Sequence, residues 1–142
     1  MTSLRTLIAI SLLTGLTQLA VAQEAKAPRV APAEAKDHIG QLATVCGKVV
    51  DTGVAGNGLL GHGRPVSFYL DQPQQNPVFY FVLFSTGSGG PDDVVKAKEL
   101  IKAYDGKNVC IAGKIQALPA GGGGPFIMVA DRSHVKVQTN AK

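Results

Sequence analysis

Two cysteines, a small set of aromatic residues at one strand parity and a scatter of cations are the parts of this chain that could do chemistry. Cys46 and Cys110 sit in two similar phrases, Val45-Cys46-Gly47-Lys48-Val49 and Val109-Cys110-Ile111-Ala112-Gly113-Lys114-Ile115. In each, small or β-branched residues alternate with polar ones, and a glycine precedes a lysine. Zinc would need four ligands, and the histidines His38, His62 and His134 are scattered without ligand spacing, so no metal site is expected. Ser67, His62 and Asp71 can be named as nucleophile and base candidates, but nothing in their spacing joins them into a triad. Asp51 and Asp71 could be offered as a carboxylate pair. Both fall at strand ends, where aspartate is a routine turn former. Gly56-Asn57-Gly58-Leu59-Leu60-Gly61 matches the dinucleotide fingerprint literally, yet Gly63 and Pro65 prevent a helix from opening there. No catalytic residue and no cofactor is expected, and the protein reads as a non-enzyme.

The first 22 residues read as a signal peptide. Arg5 supplies the positive start, Leu7 to Leu13 an apolar run, and Ala20-Val21-Ala22 the small-residue cleavage pattern. The apolar stretch is too short and too interrupted for a membrane span of about 20 residues. Cleavage after Ala22 would release a periplasmic or secreted protein with 13 basic and 10 acidic residues. That mild surplus permits polyanion binding without requiring it. In an exported chain, two cysteines imply a disulfide, here closing a loop of about 65 residues worth roughly 4 kcal/mol in the chain-entropy account.

Positioning these groups falls to a β-rich domain. Residues 23–36, rich in Ala, Glu, Lys and Pro, are expected to be a disordered leader, residues 37–137 the folded domain and residues 138–142 a loose tail. Alternation predicts strands over Leu42 to Val50, Val66 to Leu70, Val78 to Phe84, Asn108 to Gln116 and Phe126 to Ala130, with Val135 to Val137 extended. Pro91, Asp92 and Asp93 open a helix whose apolar positions are Val94, Ala97, Ile101 and Tyr104, and Gly106 stops it. Lys96, Lys98 and Lys102 then form its solvent face. Five strands with one helix between the third and fourth is the pattern of the OB-fold, a small Greek-key barrel. Parity places Val66, Phe68, Leu70, Phe79, Phe81 and Leu83 inside. It places Cys46 and Cys110 outside on neighbouring first and fourth strands, where a disulfide closes without distortion if they stand opposite.

The Cys46 and Cys110 phrases, Gly63-Arg64-Pro65 before the second strand, Gly106-Lys107-Asn108 and Ala130-Asp131-Arg132-Ser133 together resemble small exported bacterial OB-fold proteins. Those are related to the nucleic-acid-binding OB domains of the tRNA-synthetase and helicase type. The resemblance spans roughly Asp37 to Val137 and implies a binding module with affinity for nucleic acid. OB-folds bind on the face of the second and third strands. There the outward Tyr69, Tyr80 and Phe84 would stack unpaired bases, while Lys48, Arg64, Lys114 and Arg132 would follow the phosphates. The competing arrangement has those rings covered as a second small core, with the cations an ordinary solvated surface. Single-stranded DNA or RNA is the expected partner. An envelope protein or an oligosaccharide on the same face is the alternative.

Overall fold

A computed structural model describes residues 26–56, 63–85, 92–119 and 121–139. The expected signal peptide, the start of the expected leader, most of the first glycine loop with most of its fingerprint, Pro91 and the chain end lie outside the described residues. The fold is mostly β. Among the described residues, seven strands are β1 (Arg29–Val30), β2 (Leu42–Val54), β3 (Pro65–Leu70), β4 (Tyr80–Phe84), β5 (Asn108–Lys114), β6 (Phe126–Met128) and β7 (Val135–Val137), with one α-helix, α1 (Asp92–Tyr104). They form one sheet in the order β6-β4-β3-β2-β5-β7, with β1 added to β2. Gln116, just beyond β5, exchanges two backbone hydrogen bonds of 2.8 Å with Phe126 of β6.

β2 is the long central strand because it serves two sets of partners. Its first half pairs antiparallel with β5 and its second half with β3. Between the halves the register slips by one residue, from Val49 opposite Leu70 to Asp51 opposite Tyr69. Val50 is the extra residue, and such a bulge bends and twists its strand. Asp71 pins the place: its Oδ1 accepts from the Lys48 backbone N–H at 2.8 Å and its own N–H donates to the Lys48 carbonyl.

The core sits inside this coiled sheet. Phe68 stacks on Phe81 with centroids 4.8 Å apart, and Tyr104 of α1 meets both rings edge-on at 5.5 and 6.1 Å. Val45, Val49, Val66, Leu70, Phe79 and Ile111 complete it, all fully buried, so the inward row follows the parity read from sequence. Fully burying each large apolar side chain stabilises by about 1.5–3 kcal/mol. At Gly113 β5 comes so close to β6 that a Cβ would stand 2.6 Å from Ile127 Cγ2. Only glycine fits there. Gly106, at φ +70°, takes the left-handed turn that ends α1.

Two expectations need correction. The leader is not disordered up to residue 36: Arg29–Val30 pairs in parallel with Thr44 and Val45, and Pro32–His38 forms a 3-10 turn that sends Ala35 into the core. A two-residue parallel pairing leaves no alternation to read, which is why composition pointed the other way. The helix also presents a face rotated from the expected one. Asp93, Ala97, Leu100 and Tyr104 are buried, whereas Val94 is exposed and Ile101 half-buried. An acidic residue at a buried position hides that face from a hydrophobicity pattern.

Candidate functional site

Strand pairing sets up an apolar outer face on β3, β4 and β6. Tyr69 stands opposite Tyr80, Ser67 opposite Val82 and Pro65 opposite Phe84, while Tyr80 and Val82 neighbour Phe126 and Met128. The aromatic residues form one stack. Tyr69 and Tyr80 have centroids 5.3 Å apart, and Tyr80 lies nearly parallel to Phe126 at 5.2 Å. Tyr69 is 8% exposed and Tyr80 9%, with Val82 and Phe126 similarly covered and Phe84 half-buried against them. The rings therefore spend their faces on one another. This is the second small core weighed above, not an open base-stacking platform. Burial raises the Tyr69 hydroxyl pKa above the ordinary tyrosine value, partly offset by a hydrogen bond with Ser67 and reinforced by the nearby Asp51. Tyr80 is raised too, by burial first and by neighbouring Tyr69 second. Phe126 belongs to this cluster and was not singled out from sequence. The parity it shares with Met128 was the available signal, but the parallel pairing of β4 with β6 had to be known.

The cations do not gather on this face. Lys48 and Lys114 are exposed on the outer side of β2 and β5, opposite Asn108 and Leu42, so six residues, or about 20 Å, of ladder separate them. Arg64 is half-buried at the entry to β3. Its N–H donates to Ser85 Oγ at 2.9 Å, and it lines a cavity of about 330 Å³ with Val54, Val94, Ala97, Lys98 and Ile101. Arg132 lies with its guanidinium 6.0 Å from the Tyr104 ring centroid, a cation–π distance. The predicted phosphate track is thus divided among three places.

The carboxylates named from sequence are occupied by backbone. Asp51 accepts from Thr52 N at 2.9 Å and Gln74 N at 3.0 Å, and Asp71 holds the bulge already described. Asp131 caps its 3-10 turn by accepting from Ser133 N at 2.7 Å, and that bond keeps its carboxyl below the ordinary aspartate value.

Cys46 and Cys110 stand directly opposite in the β2–β5 ladder and are joined, with Cα atoms 4.1 Å apart. The pair occupies a position without mutual backbone hydrogen bonds, where opposed side chains come closest. Both sulfurs share the outer face with Thr44, Lys48, Ala112 and Lys114. Arg29 reaches over from β1, its Nη2 donating to Cys110 Sγ at 3.3 Å.

The chain matches no protein family model and no curated protein. Among solved structures it is similar to the OBody AM1L10 bound to hen egg-white lysozyme, at 18% identity over 79% of this chain and 92% of that one, with a TM-score of 0.46. It is also similar to a protein described as an aspartyl-tRNA synthetase from Leishmania major Friedlin, at 9% identity and a TM-score of 0.47. There it covers 85% of this chain and only 22% of that one. A protein described as a nucleic acid-binding lipoprotein from Klebsiella pneumoniae shares 16% identity over 76% of this chain and 79% of its own, with a TM-score of 0.39. Likeness at this level says nothing of what the present chain binds.

Proposed function

We propose that this protein is an exported, non-catalytic binding module of the OB type that recognises an uncharged partner surface, an envelope protein, through the outer face of β3, β4 and β6. The barrel reading is supported by the strand order and by the Gln116–Phe126 hydrogen bonds, which supply the seam between the fourth and fifth barrel strands. Export is supported by the disulfide, since such bonds persist in oxidising compartments. Among the described residues no helix is long and apolar enough to cross a membrane.

One observation carries the ligand class: an aromatic and aliphatic face, with Met128 51% exposed beside the closed rings and none of the predicted cations upon it. Desolvating such a face favours a protein surface. An oligosaccharide fits less well, because sugars also stack on open ring faces. Affinity capture from envelope extract tests this. Met128→Glu should abolish recovery of a partner that wild type retains, and equal recovery with both would overturn it.

Single-stranded nucleic acid is the second reading, favoured by the basic surplus and by the exposed Lys48 and Lys114. Phosphate contact makes affinity fall steeply with salt. Fluorescence anisotropy of labelled oligonucleotides at two salt concentrations decides it: flat traces at low salt remove this reading and leave the first standing.

A further inference from the structure

Away from the strands that carry the aromatic cluster, β1, β2, β5 and β7 present a second outer surface. A concave cavity of about 700 Å³ opens on it, within the range of about 300–1,000 Å³ typical of small-molecule sites. Its floor is apolar and rigid: the Cys46–Cys110 bridge and Ala112. One wall is the approach to β1, with Lys26 and Arg29, and the other is the run through β7, with Ser133 and Lys136. Strand register places Arg29 beside Thr44 and Lys136 beside Cys110, so both cations share the face of the disulfide between them.

Every charged residue lining this cavity is a cation or a histidine. The Arg29 guanidinium lies across the floor and is met by neutral acceptors, Cys110 Sγ at 3.3 Å and Gln138 Oε1 at 3.5 Å. Among the described residues no carboxylate pairs with it. A planar fork of five donors held by two long, neutral contacts keeps most of its capacity for an oxyanion, which arginine binds in bidentate fashion. Asp131, at the turn before β7, is directed into its own loop, capping Ser133.

We infer that this cavity is a binding site for a small molecule carrying more than one anionic oxygen group, phosphate or carboxylate, gripped between Arg29 and Lys136 over the disulfide. Arg29 supplies the paired hydrogen bonds, Lys136 and Lys26 supply charge, and the Thr44 and Ser133 hydroxyls complete the polar rim. Lys48 and Lys114 stand outside the lining, which separates this open concavity from a continuous backbone track.

Isothermal titration calorimetry of the full, oxidised protein tests the inference, with inorganic pyrophosphate and citrate as separate probes at low ionic strength. The expected result is saturable binding of at least one probe at one site per chain, and the stronger probe tells phosphate from carboxylate. Losing one charge-assisted partner should weaken binding roughly tenfold in Arg29→Gln and in Lys136→Ala. Lys102→Ala, on the solvent side of α1, should leave it unchanged. Lys136→Ala sits on an exposed strand face and keeps the test decisive if Arg29→Gln disturbs β1. Three results would overturn the inference: no saturable heat with either anion, equal weakening in Lys102→Ala, or binding of oligonucleotides alone.

Discussion

Tyr69 and Tyr80 illustrate how much a single side chain's surroundings decide. Parity sends both away from the main core to the outer face of the sheet, yet each is covered by its neighbours rather than by water. Their hydroxyl pKa values are raised, so protons leave the unfolded chain first. The stability tied to their neutral forms is complete below the ordinary value of about 10 and drains away as pH climbs through the raised values. An absorbance titration of tyrosinate should therefore show Tyr69 and Tyr80 ionising late, and Tyr80→Phe should remove one late step. Loss of an ordinary step in Tyr80→Phe would mean that the cluster is open. What sequence could not reveal here is coverage, because Phe126 arrives from a strand far along the chain.

At the scale of elements, the clearest dependence is the approach of β5 to β6. Gly113→Ala would drive a methyl against Ile127 Cγ2, a methyl on the branched Cβ that has little freedom to swing aside. The expected cost is about 1–3 kcal/mol, in line with overpacked cores, and urea unfolding would measure it. A second substitution, Ile127→Ala, should relieve part of the clash in the Gly113→Ala background. The strands themselves were legible: alternation over Leu42 to Val50 and Asn108 to Gln116 names the starts of β2 and β5 and overruns the end of β5 by two residues. The extra four residues of β2 were not, because the bulge at Val50 breaks the period on which the reading depends. For α1, existence and end were readable from Asp92, Asp93 and Gly106, while its buried face was not, since Asp93 occupies a position that hydrophobicity assigns to Val94.

For the whole molecule, the disulfide is the central long-range tie, spanning a sequence separation of 64 residues. Cys46→Ser with Cys110→Ser should cost about 4 kcal/mol by the loop-entropy argument. Equilibrium unfolding in denaturant checks it, and a loss below about 1 kcal/mol would show that the β2–β5 ladder needs no covalent help. This pairing was visible in the sequence because the two cysteines share one parity on two strands that the expected barrel order makes neighbours and that pair in the sheet. The candidate site was not. Lys48, Arg64, Lys114 and Arg132 are distributed by strand register and by packing against α1, which no local spacing records, and Arg29 was assigned to a leader without structure.

Ala35 reaches the core from the 3-10 turn, so the smallest independently folding fragment begins earlier than composition suggests. Excising everything before Asp37 would uncork the interior and strip β1 from its partner. A fragment starting at Asp37 should melt well below one starting at Lys26, a difference that a calorimetric scan would register. Any fusion tag is therefore best joined ahead of Lys26, upstream of the stopper.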